Sequence, residues 1–285
     1  MKLIGYTCTY NEEALIPYVM PYIEAIGYDR FIVYDNGSTD RTVEILSTYP
    51  FIEIRHYDSD GKFDDIVKAK VQTEAYKECL ELAKEDRIWF SFTDFDEVLF
   101  FNNENPFKDM FFSLSLTYGY NCYFKRMVNL LPPKGVDSPI ELMHDGQMVH
   151  TLEGMRGCFW TGGGMKPLLI LVNDFPNVSF VGGNHYAITH GEGNNEIKPY
   201  NDTSELQAFH LKFVDKLVSK ARRKSFAERG RDRYINLYEN ADAMFEKMFG
   251  SSFPLENYFL MDGILSKGCR DGVFWEGLRN TDWRF

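Results

Sequence analysis

Through the first hundred residues, short apolar runs rich in β-branched and aromatic side chains alternate with stretches of helical spacing. Leu3 to Cys8, Arg30 to Tyr34, Phe51 to Tyr57 and Arg87 to Thr93 read as strands. Leu15, Val19, Ile23 and Ile26 recur at helical spacing, with Pro17 and Pro21 predicting an irregular or broken helix that Gly27 ends. Thr39 or Asp40 is placed to cap a short helix reaching Tyr49. Asp64 to Lys84 is the strongest helical segment, with Val67, Val71, Ala75, Cys79 and Ala83 repeating every four residues. The order β-α-β-α-β-α-β predicts an α/β fold with a mixed, mostly parallel sheet flanked by helices. In such sheets ligands bind beyond the carboxyl ends of the strands. Three polar clusters fall there: Tyr10-Asn11-Glu12, Asp35-Asn36-Gly37-Ser38 and Asp94-Phe95-Asp96-Glu97.

The second half is patterned less regularly. Asn105 to Leu116 reads as a short helix, and Asn121 to Leu130 as β-like. Residues 136–165 read as irregular, with Trp160-Thr161-Gly162-Gly163-Gly164 as a loop. Lys166 to Val172 and Asn177 to Val181 are expected as strands. From Ser204 to Phe249 the spacing of Leu206, Phe209, Phe213, Leu217 and Ala221 predicts a helical C-terminal appendage. The expected division is a catalytic domain over 1–203, with halves 1–103 and 104–203, and a helical region over 204–285.

Composition narrows the classes. The 285 residues are 44% hydrophobic and 26% charged, ordinary for a globular chain. A net charge of −11 argues against nucleic acid as the principal partner. Nine Lys/Arg against three Asp/Glu lie between Lys212 and Arg233, which reads either as a solvated helix face or as a peripheral contact with a membrane surface. The five cysteines are scattered without C-x-x-C spacing, so no zinc site or disulfide framework follows, and a reducing compartment is the simplest expectation. The first residues enter a strand pattern at once, and no run of about 20 apolar residues is present. The expected location is cytoplasmic, at most peripheral at the inner face of a membrane.

Asp94 and Asp96 alternate about Phe95, so at strand spacing they point the same way. Two like charges side by side call for a cation, and oxygen-rich pairs suit Mg²⁺ or Mn²⁺, which in turn suit phosphate oxygens. A solvated acidic loop is the plain alternative.

Thr9-Tyr10-Asn11-Glu12-Glu13, Tyr34-Asp35-Asn36-Gly37-Ser38-Thr39-Asp40-Arg41-Thr42 and Phe92-Thr93-Asp94-Phe95-Asp96-Glu97 resemble the motifs of family-2-type nucleotide-sugar glycosyltransferases of the GT-A fold, in particular a bacterial subset. The likeness covers about residues 3–100. It implies a GT-A-like Rossmann-type fold and a divalent cation, Mn²⁺ or Mg²⁺, on the donor diphosphate. It further implies Tyr10 against the base, Asp35 accepting from the base N–H, Asp94 on the ribose side, Asp96 as metal ligand and Glu97 as support. Lys68 and Lys166 are implied as cations near base or phosphate, a solvated helix lysine being as good a reading of Lys68. Asp40 reads better as a helix cap. A histidine from the second half is implied to complete the metal site, with His185 first and His210 second.

Inverting transfer needs a carboxylate to deprotonate the acceptor hydroxyl. Glu192, Asp145 and Glu153 are the candidates, and the sequence does not choose among them or exclude retention. The expected function is a metal-dependent glycosyltransferase, of hexosyltransferase type and expected to invert, taking a nucleotide-sugar donor, UDP-sugar favoured, and a glycan or lipid-linked glycan acceptor in cell-surface polysaccharide synthesis. A sugar-phosphate nucleotidyltransferase is the first alternative, against which stands the acidic, glycine-free loop Tyr10-Asn11-Glu12-Glu13, since triphosphate sites use Gly-rich basic loops. A non-enzymatic glycan-binding protein with a retained fold is the second.

Overall fold

In a computed structural model, the described residues are 1–62, 64–101, 107–125, 128–132, 141–144, 147–150, 156–159, 166–181, 186–190, 192–200, 206–211, 215, 218, 224, 229 and 253–254. The first half follows the expected alternation: β1 (Lys2–Thr9), α1 (Ile16–Ile26), β2 (Arg30–Asp35), α2 (Thr42–Leu46), β3 (Ile52–His56), α3 (Asp65–Leu82) and β4 (Ile88–Asp94). There follow β5 (Glu97–Phe101), α4 (Phe107–Tyr118), β6 (Cys122–Lys125), β7 (Val128–Leu131), β8 (Glu141–His144), β9 (Gln147–His150) and β10 (Arg156–Phe159). The remaining strands are β11 (Lys166–Leu171), β12 (Val178–Val181), β13 (Tyr186–Thr189), β14 (Pro199–Tyr200), β15 (Leu206–His210) and β16 (Phe253–Pro254).

The main sheet has the order β14-β6-β11-β4-β1-β2-β3. Its half from β4 to β3 is parallel, and β11 runs antiparallel to both β4 and β6. A mixed, mostly parallel sheet flanked by helices is therefore observed. A second sheet, β16-β10-β7-β15-β5, begins where β5 leaves the end of β4. β1 lies between β2 and β4, so successive crossovers leave it in opposite directions, and the cleft that such a switch point creates falls, by topology, beyond the carboxyl ends of β1 and β4.

Alternation along the central strands divides the core. Ile4, Tyr6, Ile32, Phe90 and Phe92 pack toward α3 with Tyr76 and Cys79. Leu3 and Trp89 face the other way, against Phe107 and Phe111 of α4. α1 presents Ile16, Val19, Met20 and Ile23 to Phe31 and Val33 of the main sheet and to Val98, Val128 and Phe209 of the second.

Several elements differ from expectation. α1 is continuous through Pro21: Pro17 lies in the first turn, where no intrahelical N–H is needed, and the buried face from Ile16 to Ile26 offsets the bond Pro21 lacks. Residues 136–165 are not wholly irregular, since β8, β9 and β10 lie within them. Their four-residue length hides them from any periodicity test. Leu206–His210 is a strand and not the start of a helix; it pairs antiparallel with β5 and parallel with β7. Beyond it, Val218 and Lys224 have helical backbone.

Gly5 is required by packing. A Cβ there would lie 2.5 Å from Phe31 Cδ2 and 2.7 Å from Tyr28 Cε1, rings that close on β1. Gly5→Ala is expected to destabilise the protein by about 1–3 kcal/mol, the usual cost of overpacking, read as a lower midpoint in urea unfolding.

Candidate functional site

The loops after β1 and β2 are bonded into one unit. Asn11, held at φ 53°, accepts from the Thr39 N–H with its side-chain oxygen at 2.8 Å, and its own N–H donates to Ser38 Oγ at 3.0 Å. The Glu12 N–H donates to Thr42 Oγ1 at 2.7 Å. Asp40 accepts from the N–H groups of Thr42 at 2.9 Å and Glu13 at 3.2 Å, and so shapes the turn into α2; the N-cap residue itself is Arg41, one position beyond the expected Thr39 or Asp40. Asp35 is buried and accepts from the N–H of Gly37 at 3.0 Å and of Ser38 at 3.1 Å, and from the Ser38 hydroxyl. Gly37 sits at φ 71°, a conformation that glycine supplies without strain. Asp35 thus shapes the turn that walls the cleft.

At the end of β4, Asp94 shares the parity of Phe90 and Phe92 and so meets α3. The α3 face turned inward carries Lys68, Gln72, Ala75, Tyr76 and Cys79, while Ile66 is exposed, so the helix is rotated from its apolar repeat. Asp64 caps it by accepting from the Ile66 N–H at 2.7 Å. This rotation buries Lys68, whose ammonium is bonded to Asp94. Lys68 is therefore no solvated helix lysine.

Strand alternation stops at Asp94, because Phe95 and Asp96 form a turn before β5. The two carboxylates are not held by one pleat, contrary to the expectation from spacing. Asp96 is almost fully buried and lies 3.2 Å through Oδ2 from Nε2 of His210, at the end of β15. The other ring nitrogen, Nδ1, is 2.9 Å from Oδ1 of Asn129 on β7. The Leu211 N–H donates to the Asp96 carbonyl at 2.7 Å. Glu97, also buried, accepts from the Asp94 N–H at 3.2 Å and so braces the turn; it is not an exposed acid.

Among the described residues no group of three or more His, Cys, Asp or Glu side chains is arranged to hold a metal ion. Asp96 and His210 nevertheless supply one carboxylate and one imidazole at one point, a donor set acceptable to Mn²⁺. His185, Asp145 and Glu153 lie outside the described residues. Lys166 begins β11 opposite Lys125 of β6. Glu192 is exposed after β13, where its carbonyl accepts from the Asn177 amide.

Two residues of this site carry no readable signal in the sequence. Asn129 lies in a four-residue apolar strand. Arg229 sits in the basic segment 212–233, yet it is buried, with its guanidinium 4.3 Å from the centre of the Tyr10 ring. It donates to Ser59 Oγ at 3.1 Å and to the Lys62 carbonyl at 2.6 Å. At Arg229, then, the segment packs inward against Tyr10 and the loop after β3, while Lys224 is exposed. Among the described residues no helix is long and apolar enough to cross a membrane.

With this geometry in hand, the family described as glycosyltransferase family 92 is found to match residues 7–143, just under half of the chain. The match supports a glycosyltransferase. The matched segment includes all three strand-end motifs, although the family is 92 and not the family 2 that those motifs resemble. No curated protein sequence matches the chain. Among solved structures, 4-diphosphocytidyl-2C-methyl-D-erythritol synthase is 12% identical over 61% of this chain and 77% of its own, with a TM-score of 0.31. UDP-glucose pyrophosphorylase complexed with UDP-glucose is 8% identical over 60% and 76%, with a TM-score of 0.29. HddC from Yersinia pseudotuberculosis is 10% identical over 80% and 99%, also at 0.29. Overlaps this slight say nothing of activity, and the fold is defined by the strand order itself.

Burial pushes the Cys8 thiol up to about 11, against the smaller opposing effects of Lys68 and a hydrogen bond from Tyr57. Because the thiolate is the reactive form, Cys8 of the folded protein should resist iodoacetamide at pH 8 and react only as the pH approaches 11, whereas the urea-unfolded chain should be alkylated there at pH 8; peptide mass spectrometry reads both. Arg229→Ala should cost about 1–3 kcal/mol through lost charge-assisted bonds and speed proteolytic cleavage within residues 58–62.

Proposed function

We propose that this protein is a metal-dependent glycosyltransferase that moves a sugar, with inversion, from a nucleoside diphosphate donor, UDP-sugar favoured, to a glycan or lipid-linked glycan acceptor. The observation that carries the reading is the meeting of Asp96 and His210 at 3.2 Å beside the cleft at the ends of β1 and β4. The family-92 match supports it from a separate direction.

In this reading Tyr10 offers one ring face to the base, and the Asp35 turn forms the adjoining wall. Asp94, 30% exposed and neutralised by Lys68, accepts from ribose hydroxyls at the cleft edge. Asp96 and His210 would hold the cation, and a protein that offers few ligands of its own suits an ion shared with a phosphate-bearing substrate. The bound ion, Mn²⁺ or Mg²⁺, supplies Lewis-acid stabilisation of the leaving diphosphate. Glu97 keeps the turn in shape from below. A carboxylate of the second half takes the acceptor proton, with Glu192, Asp145 and Glu153 as candidates.

Calorimetry with UDP, with and without Mn²⁺, tests the donor half. Metal-assisted binding of UDP is expected, and donor turnover should vanish in excess EDTA. Asp96→Ala should reduce turnover at least about 100-fold, because metal stabilisation of a transition state is worth several kcal/mol, with the melting temperature of the metal-free protein little changed. A protein that binds no nucleoside diphosphate under either condition would sink the proposal.

A further inference from the structure

His210 is held from both sides within the second sheet. Across one side of β15 it stands in register with Glu97 of β5, and across the other with Asn129 of β7. Asn129 is 1% exposed, so bulk water does not compete for its amide. Its Oδ1 lies 2.9 Å from Nδ1 of the imidazole, within hydrogen-bond range. A carbonyl oxygen can only accept, so Nδ1 carries the proton. In the neutral imidazole, the form that binds a metal, the lone pair of Nε2 then faces the Asp96 carboxylate oxygen at 3.2 Å. Two acceptors at that distance repel unless a positive charge joins them: a proton on Nε2 when the site is empty, or a metal ion that takes its place.

We infer that Asn129 is the positioning residue of the metal site: by taking the Nδ1 proton it fixes the tautomer and ring orientation of His210, so that Nε2 is presented beside Asp96 as a ligand to a divalent transition-metal ion. The inference rests on the metal-dependent reading above and adds to it a residue that touches neither donor nor metal. Hydrogen-bond partners on the far nitrogen of a ligating imidazole perform this function in metal sites generally. Here the amide is the buried side chain of a neighbouring strand, so the backbone register of β15 against β7 brings it to the ring and burial holds it there.

Two substitutions separate tautomer control from simple support of the fold. Asn129→Asp keeps an acceptor at Nδ1, and Asn129→Leu removes it at similar size. The full chain is titrated with Mn²⁺ at fixed UDP, and free Mn²⁺ is read by electron paramagnetic resonance; melting temperatures are taken in EDTA. Asn129→Leu should weaken Mn²⁺ binding about 10–100-fold, the usual effect of losing such a partner, while Asn129→Asp binds Mn²⁺ at least as tightly as the unaltered protein. Should Asn129→Leu melt early in EDTA, the aspartate variant decides. Unchanged Mn²⁺ binding in Asn129→Leu, or a loss in Asn129→Asp, overturns the role of Asn129 while leaving the proposed function standing. Absence of Mn²⁺ binding to the unaltered protein with UDP overturns both.

Discussion

The turn between β4 and β5 is held by a strand that arrives more than a hundred residues later. β15 pairs with β5 along its length, and the next residue, Leu211, closes the pairing by donating its N–H to the Asp96 carbonyl. That single register sets three things together. It caps the acidic turn, it brings His210 to Asp96, and it inserts Phe209 into the core shared with α1. A slip of one residue would turn His210 to the opposite face of the sheet and Phe209 toward the cleft, because side chains alternate along a strand. The apolar partners of Phe209 therefore enforce the chemistry of its neighbour.

The first half of this architecture could be read from the chain because its elements are long and regular. β1, β2 and β4 are central strands with near-continuous apolar sequence, β3 at the sheet edge alternates, and α3 spans five turns, so periodicity and length agree. The placement of Asp94 and of the Asp35 turn was legible for the same reason: they end strands whose position in a parallel sheet is set by topology, whereas Asp96 lies in the turn beyond, where strand spacing no longer applies. β15 was misread because Leu206 and Phe209 are three apart and suit a helix as well as one edge of a short strand, and only pairing with β5 and β7 decides between them. Asn129 and Arg229 left no trace, since a buried amide or guanidinium is defined by partners remote in sequence. The rotation of α3 that buries Lys68 was equally invisible: the deciding interaction is with Asp94, not with the helix itself.

The cleft wall formed by the first two loops is rigid in a different way. Asn11, Ser38, Thr39, Asp40 and Thr42 exchange side-chain to backbone bonds across the gap between β1 and β2. Each satisfies a donor that strand or helix would otherwise leave open. The β3 loop joins this unit through Asn36, whose amide donates to Ser59 Oγ at 2.8 Å. Ligand-facing loops that are bonded to one another are pre-organised, and less entropy is lost when a ligand is bound.

Arg229 completes that assembly from far along the chain. Its bond to Ser59 spans 170 residues, and the contact of His210 with Asp96 spans 114. Contacts of such separation close large loops and form late, and synthesis delivers the N-terminal half first. In the proposed reading, ligand competence requires a chain extended past Arg229: Tyr10 and Asp96 come early in the sequence, and the side chains that meet them, Arg229 and His210, come late.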